Sequence, residues 1–386
     1  MSYKCRMKIR RAVGGQGAQI SVAPIVLCIV FVATNLPIKA APYLQIKYTL
    51  HEIIINKYGS IGCVQSTYHN SLFGSMQRKY VYEVGGIMSL SKKKAYEKEA
   101  AEYRINDSGA LTVYCKNKNS AKNVSIEPSM LVDGIRYPVT EIGNKSFSDC
   151  TSLISITIPS SVTKIGEYAF YNCTSLTSVT VPGSVTEIGN GTFYGCTSLT
   201  SVTIPDSVTK IGEATFCECT SLTSIIIPSS VTEIIEGTFY GCTSLTSVTI
   251  PDSVTKIGEM AFSHCASLTS ITIPDSVTKI GEYAFSHCAS LISIIIPSSV
   301  TKIDEFTFAG CASLTSITIP DSVTTIGRYA FYGCTSLTSV TIPDSVTKIG
   351  EYAFADCTSL ETINIPSSVR QIEANAFSDR TRLVYL

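Results

Sequence analysis

The chain of 386 residues carries no formal net charge, because its 30 Lys and Arg residues balance its 30 Asp and Glu residues. The balance hides an asymmetry: basic residues exceed acidic ones by about ten up to residue 133, and acidic residues are in similar excess beyond it. An acidic C-terminal part argues against nucleic acid as a partner, because the phosphate backbone attracts cationic surfaces.

Residues 1–45 are predicted to be a signal peptide or signal anchor. A basic start precedes the apolar run 22–33, which is short for a membrane-spanning helix and typical of a signal-peptide core. The pair Ala40-Ala41 offers a cleavage region, and this interpretation predicts a secreted or cell-surface protein. Two alternatives stay open: an uncleaved anchor, which would be the only membrane contact, and an intracellular protein with a chance apolar run.

Two less regular segments follow. Residues 46–100 are predicted to be a linker or a poorly ordered region without recognisable chemistry, and the alternating charges of 89–104 are typical of a short helix or a solvated linker. Residues 101–149 contain three predicted short strands and apolar positions that imitate the later repeat. They are predicted to be a degenerate N-terminal cap, which solenoids need because the first coil otherwise exposes its core.

The region 150–386 repeats a unit of 23 residues about ten times. In the copy that begins at Cys173, the stretch 178–181 alternates polar and apolar residues, which is the period of a strand buried on one face. Pro182 ends this strand, because proline donates no ladder hydrogen bond. Phe193 lies in a segment predicted to form a turn or one helical turn, and its ring fills the core from that side.

A strict period of this length is the signature of a solenoid. One coil cannot fold alone, since its large apolar side chains contribute at most roughly 15 kcal/mol on burial, and ordering the coil costs on the order of 35 kcal/mol. Stacked coils bury each other's faces, and their strands pair with one another. The predicted fold class is a repeat solenoid with a continuous parallel β-sheet on one face and turns or short 3₁₀ or helical segments on the other.

The repeat S-[IV]-T-I-P-x-S-V-T-x-I-G-x-x-A-F-x-G-C-x-S-L closely resembles the BspA-like group of leucine-rich-repeat surface proteins of bacteria and parasitic protists. The resemblance covers about residues 138–386, with Ile235, Asp304 and Glu373 in place of Gly and Arg380 in place of Cys. It implies a leucine-rich-repeat horseshoe and adhesion to host proteins or other cells at the cell surface. The group shares no catalytic residues, so the resemblance implies none here.

Ten of the fifteen cysteines lie one per coil, from Cys150 to Cys357. Equivalent side chains in stacked coils stay about 5 Å apart, whereas a disulfide needs Cβ atoms about 3.8 Å apart. We therefore predict buried free thiols that act as small hydrophobic side chains. Outside this ladder, Cys63 and Cys115 are a further candidate pair that the sequence does not decide.

His264 and His287 lie one repeat apart, each directly before a ladder cysteine. A metal site of two His and two Cys is one interpretation. A variable exposed position is the favoured one, because other coils carry Asp, Asn, Gly or Glu there. The Ser-His-Cys triplets lack an orienting acid, and adjacent residues rarely face each other as a protease requires. We predict no metal, no cofactor and no catalytic residue.

The outward positions of the predicted strands are the better functional clue. They form a file of Ser and a file of Thr, broken by Ile226 and Ile295, and together make a broad uncharged hydroxyl surface. Three interpretations compete: strand propensity and solubility alone, an adhesive surface for protein or glycan, and ice binding, which a curved sheet fits poorly. The predicted ligand-binding residues lie around the two breaks: Ser224, Ile226, Ser247, Thr249, Ser270, Thr272, Ser293 and Ile295.

A second candidate contact patch consists of tyrosines on the opposite side of each coil. Aromatic side chains are favoured at interfaces, and local packing is the alternative role. The tyrosines are Tyr168, Tyr171, Tyr194, Tyr240, Tyr283, Tyr332 and Tyr352.

These observations predict a non-enzymatic secreted or cell-surface protein whose partner is a macromolecule, either protein or glycan. Binding would rest on many weak contacts spread over a rigid sheet. Two alternatives stay open: a structural surface spacer without a specific ligand, and an intracellular scaffold for protein–protein interaction.

Overall fold

The computed structural model describes residues 48–55, 61–68, 95–98, 101–132 and 134–386. The chain divides into two compact units, Met1–Lys93 and Lys94–Leu386. The predicted leader, 1–45, lies outside the described residues, and the division of the chain into four parts stays a prediction. Within the described ranges, no helix has the length and apolar character needed to cross a bilayer.

The first unit contains an antiparallel pair, β1 (Tyr48–Ile55) and β2 (Ile61–Tyr68). The second unit begins with a cap whose strands precede the regular coils. They are β3 (Ala95–Lys98), β4 (Ala101–Ile105), β5 (Leu111–Cys115), β6 (Asn123–Ser125), β7 (Ser129–Val132) and β8 (Ile135–Ile142). The three predicted cap strands are confirmed by β4, β5 and β6.

The interpretation of 89–104 as a helix or linker is wrong for its described residues, which form β3 and β4 as an antiparallel pair. In β4, Ala101 and Tyr103 are buried, whereas Glu102 and Arg104, which alternate with them, are partly exposed and form an ion pair. The charges therefore alternate with the period of two of a strand that buries one face.

From residue 155 onward, two strands recur in every complete coil. In chain order they are β9 (Ser155–Thr157), β10 (Lys164–Ile165), β11 (Ser178–Thr180), β12 (Glu187–Ile188), β13 (Ser201–Thr203), β14 (Lys210–Ile211), β15 (Ser224–Ile226), β16 (Glu233–Ile234), β17 (Ser247–Thr249), β18 (Lys256–Ile257), β19 (Ser270–Ile271), β20 (Lys279–Ile280), β21 (Ser293–Ile294), β22 (Lys302–Ile303), β23 (Ser316–Thr318), β24 (Thr325–Ile326), β25 (Ser339–Thr341), β26 (Lys348–Ile349), β27 (Thr362–Ile365), β28 (Gln371–Ile372) and β29 (Arg382–Tyr385).

Two parallel ladders run along the solenoid. The first joins the odd-numbered strands from β9 onward, with Ser178 opposite Ser201 and Thr180 opposite Thr203. Its hydrogen-bonded pairing runs in sections of two to four strands. The second ladder joins the even-numbered strands, for example β16 to β18. The predicted parallel solenoid is confirmed, and the second ladder is new, because strands of two residues are too short to show a period in the sequence.

The core is a set of straight files, one residue per coil. Consecutive rings from Phe147 to Phe377 stack with centroids 5.0 to 5.7 Å apart. The ladder cysteines are buried, as predicted. They also donate hydrogen bonds: the Sγ of Cys196 lies 3.1 Å from the carbonyl oxygen of Phe170 in the preceding coil. From Cys173 to Cys357, each ladder thiol thus ties two coils together in addition to filling space.

The side opposite the first ladder is made of turns, and the described residues contain no helix there. Two positions per coil have positive φ, such as Tyr168 at 53° and Asn172 at 55°. The backbone N–H group of Tyr168 donates to the backbone carbonyl oxygen of Asn190 at 2.8 Å. The backbone N–H group of Asn172 donates to the backbone carbonyl oxygen of Tyr194 at 2.7 Å. The left-handed conformation therefore points these N–H groups toward the next coil. The turns of successive coils are thus joined by backbone hydrogen bonds, as the strands of the two ladders are.

Candidate binding surfaces

All eight sequence-predicted ligand-binding residues have exposed side chains on the first ladder. We call the outward Ser, Thr and Ile side chains of this ladder the strand face. The exposed–buried–exposed pattern of β15 and β17 shows why: the middle residue of each strand enters the core, and its neighbours point outward. In register, Ser224 lies beside Ser247, and Ile226 lies beside Thr249.

The strand-face hydroxyl groups are available to a partner. Within the described part of the chain, the hydroxyls of Ser247, Thr249, Ser270 and Thr272 make no hydrogen bond to the protein. The threonines just before the strands differ, since Thr246 donates to the carbonyl of Thr223 at 3.1 Å. The strand face therefore holds unpaired donors and acceptors on a rigid backbone.

The two isoleucine breaks do not form one patch. Ile226 is 71% exposed and Ile295 is 79% exposed, but they lie three coils apart, roughly 14 Å along the ladder. Ile292, which sequence reasoning missed, is 52% exposed in the same coil as Ile295. Its signal was an Ile where most coils place Thr. The structure therefore concentrates exposed apolar area at Ile292 and Ile295.

A groove of about 370 Å³ lies on the turn side, and we call it the turn groove. It runs between the two files of positive-φ residues. Its lining comprises Tyr240, Met260, Ser263, His264, Tyr283, Ser286, His287, Phe306, Ala309, Gly310, Tyr332 and Gly333.

The two histidines of the turn groove are brought together by the coil repeat. Their ring centroids lie 4.6 Å apart, and Tyr240 contacts His264 edge-on at 5.4 Å. Both occupy a positive-φ position, at 61° for His264 and 57° for His287, which explains why most other coils place Gly, Asn or Asp there. Partial burial, and then the charge of His287, lowers the pKa of His264 below its ordinary value.

No metal cluster is apparent around this pair. Within the described residues, no three His, Cys, Asp or Glu side chains lie close enough together to hold a metal ion. The neighbouring cysteine is not a nucleophile either, because burial raises the pKa of Cys288 to about 12. The Ser-His-Cys triplets thus combine a stacked, exposed imidazole pair with cysteines that are buried in the core.

The tyrosines predicted as a contact patch pack against other aromatic rings on the turn side. Tyr283, Phe306, Tyr329 and Tyr352 stack along the turn side with centroids 4.5, 4.6 and 4.8 Å apart. Of the seven predicted tyrosines, two reach 37% exposure and the other five are half-buried. Local packing is therefore the main role that the geometry assigns to them, because stacked rings present only their edges to solvent.

A file of carboxylates borders the second ladder. Glu236, Glu259 and Glu282 occupy the same place in consecutive coils and line a depression of about 320 Å³ together with Lys256 and Lys279. Burial, and then the charges of Glu236 and Glu282, raises the pKa of Glu259.

The repeats match a known family model. The model for the BspA type leucine rich repeat region, with six copies, matches residues 140–269 and 255–384, which together are more than half of the chain. No curated protein matches the chain.

Solved structures agree with this match. A leucine-rich cell surface protein from Faecalibacterium prausnitzii is 34% identical with a TM-score of 0.58, over 75% of this chain and 87% of that one. The pneumococcal vaccine antigen PcpA is 19% identical with a TM-score of 0.52, over 75% of this chain and 88% of that one, and it supports the fold alone. On the repeat, the fold and these similarities, the chain belongs to the BspA-type leucine-rich-repeat family.

Proposed function

We propose that this protein is a secreted or cell-surface adhesion protein, without enzymatic activity, that binds a host or neighbouring-cell macromolecule through the strand face. The partner is a protein or a glycan. The observation that carries the proposal is the set of unpaired, exposed hydroxyl groups on a rigid parallel ladder between Ser224 and Ile295. Membership in a family that includes a cell surface protein supports the location.

The chemistry of the strand face fits a large partner. Hydroxyl groups spaced about 4.8 Å apart along each file offer many weak hydrogen bonds and no single strong anchor. Their positions are fixed by the ladder, so binding orders little backbone and costs little entropy. Ile292 and Ile295 add apolar area that a partner would cover.

The first test is location. A C-terminal tag on intact cells should be reached by an impermeant antibody and removed by external protease. Signal that appears only after lysis would contradict the surface location and favour the intracellular scaffold.

The second test is binding to arrays of host-surface proteins and glycans. Replacing Ser247, Thr249, Ser270 and Thr272 together with Lys should abolish binding, because four charged stems cover the hydroxyl surface. The circular dichroism spectrum should stay unchanged, since all four side chains point into solvent.

A matched control uses the same face outside the predicted site. Lysines at Ser316, Thr318, Ser339 and Thr341, which are equally exposed and lie in β23 and β25, should leave binding intact. Loss of binding in both variants would indicate a diffuse surface. Intact binding in both would contradict the strand-face site. No binding by the unmodified protein to any array member, together with tolerance to deletion of two coils in the cell, would favour the spacer.

A further inference from the structure

The cap meets the first full coil at two cysteines, Cys115 at the end of β5 and Cys150 at the start of the cysteine ladder. The N–H group of Cys115 donates to the carbonyl of Ser146 at 2.9 Å. One coil later, Phe147 makes the equivalent bond to Ala169 at 2.7 Å. Cys115 therefore occupies the position that Phe holds in every later coil.

This register brings a second thiol to the end of the ladder. In the regular coils, a ladder cysteine lies against the Phe of the preceding coil, as Cys173 Sγ does against the Phe147 oxygen at 3.0 Å. Cys150 stands in the same relation to Cys115. The register therefore places the Cys150 side chain beside Cys115, with a thiol where later coils place a ring, and the pKa values of the two thiols influence each other.

The two thiols have different reactivity. The hydrogen bond from Cys150, helped by the Asn117 backbone and by Lys118, lowers the pKa of Cys115 to about 7 despite partial burial. The same contact and burial raise the pKa of Cys150. Cys115 is half-buried and Cys150 is fully buried. Cys115 is thus the more readily ionised of the two thiols and the more accessible one, and Cys150 lies beside it.

We propose that Cys115 and Cys150 form a redox site, which closes to a disulfide and fastens the cap to the first coil when the protein meets a low-molecular-weight disulfide. The Cys115 thiolate attacks one sulfur of the small disulfide, forms a mixed disulfide and releases one small thiolate. Cys150 then gives up its proton to solvent and attacks the Cys115 sulfur. The Cys115–Cys150 bond forms, the second small thiolate leaves, and the small disulfide has been reduced to two thiols.

Among the cysteines whose side chains the structure describes, Cys115 alone is half-buried and the others are fully buried. Cys173 and Cys196 are successive ladder cysteines and both are fully buried, and the influence of Cys196 together with burial raises the pKa of Cys173. Full burial therefore keeps a small disulfide from reaching either thiol. The sequence offered Cys63 as the partner of Cys115, and the side chain of Cys63 lies outside the described residues. The structure places Cys150 against Cys115.

The test is peptide mapping of the full chain after incubation in oxidised glutathione. Free thiols are alkylated in denaturant, and the chain is digested with trypsin without reduction. Cys115 falls in peptide 105–116 and Cys150 in peptide 146–164, each with one cysteine. We expect these two peptides to be joined after oxidation and to separate on reduction, and the count of free thiols to fall by two. Brief alkylation of the native, reduced chain should label Cys115 first.

Two variants act as controls. Cys150→Ser should stop the reaction at the mixed disulfide, so that peptide 105–116 carries one glutathione and is joined to no other peptide. Cys217→Ser, which removes a buried thiol outside the ladder, should leave the joined peptides unchanged. Recovery of peptide 105–116 with its thiol alkylated after oxidation would overturn the proposal. So would its linkage to peptide 58–78, which holds Cys63. Neither result depends on whether the strand face binds a partner.

Discussion

On the strand side, nearly every coil presents the same Ser-[IV]-Thr segment, whereas on the turn side the two positive-φ positions carry residues that range from Gly to Tyr. The strand side uses ordinary extended backbone, which β-branched residues favour. On the turn side, most coils contain two residues in the left-handed conformation. This conformation costs roughly 1–2 kcal/mol of stability for each residue that has a Cβ atom.

The two sides therefore differ in how much a change of side chain affects the stability of the fold. A change of side chain on the strand face alters what a partner meets and leaves the backbone unstressed. At the turn positions, Met260, His264, Tyr283 and His287 keep a strained conformation that Gly adopts without cost in neighbouring coils. Stacking between coils, as in the His264–His287 pair, offsets part of that cost.

The largest expected effect lies in the core that both sides share. Phe239→Ala removes a fully buried ring from the middle of the Phe file, and we expect the free energy of unfolding to fall by about 3–5 kcal/mol. Denaturant unfolding followed by circular dichroism measures it. Tyr240→Ala is the matched control, because Tyr240 is half-buried. Equal losses in the two variants would contradict the assignment of the Phe file as the core.

The next prediction compares two Gly→Ala substitutions on the turn side, one that introduces backbone strain alone and one that also introduces a steric clash. Gly310 and Gly333 have φ values of 72° and 69°. A Cβ on Gly310 would lie 2.6 Å from Nδ1 of His287, whereas a Cβ on Gly333 meets nothing nearer than 3.9 Å. We expect Gly333→Ala to cost about 1 kcal/mol from strain alone, and Gly310→Ala to cost about 2 kcal/mol. Thermal unfolding compares them, and a larger loss for Gly333→Ala would reverse the interpretation.

A smaller effect is expected on the strand face. Ile295→Thr restores the Thr file at an exposed site, and the free energy of unfolding should change by less than about 0.5 kcal/mol. Chemical denaturation checks this, with Ile294→Thr at the adjacent buried position as the control. A loss of more than about 1 kcal/mol for Ile295→Thr would show that the strand face is part of the packed structure.

The smallest effect is a dependence on pH. Burial lowers the pKa of His264 in the folded chain below its ordinary value of 6.5, so the unfolded chain takes up a proton more readily. The contribution of His264 to the free energy of unfolding is therefore fully present above pH 6.5 and is lost as the pH falls below that value. The unfolding midpoint should therefore drop between about pH 8 and about pH 5, and it should drop less in His264→Asn, which tolerates positive φ. An equal drop in both proteins would remove His264 as the cause.

The strand face could be predicted because its signals are local. Alternation in 178–181, and the Pro that ends it, fixed which residues point outward. Each of the eight predicted residues is exposed because a period of two leaves no other choice. The described residues of 89–104 were misjudged because the charges of the segment looked solvated, whereas in β4 Glu102 and Arg104 alternate with the buried Ala101 and Tyr103.

The turn groove and the Cys115–Cys150 contact had no such local signal. His264 and His287 were visible as a repeated pair, but their stacking requires the coil spacing and the positive φ of both residues. Cys115 lies in a cap strand without the repeat, so nothing in its neighbours indicates that it takes the position of a Phe. Only the hydrogen bond to Ser146 reveals that register.

The sequence by itself determined the solenoid, the inward and outward positions of the first ladder and the burial of the cysteines, because a strict period forces equivalent residues into equivalent environments. The tertiary structure decided the second ladder, the left-handed turn positions and the contact between cap and coil. Those features depend on pairings between residues that lie about one coil apart in the chain, and the hydrogen bonds that select them exist only once neighbouring coils are stacked.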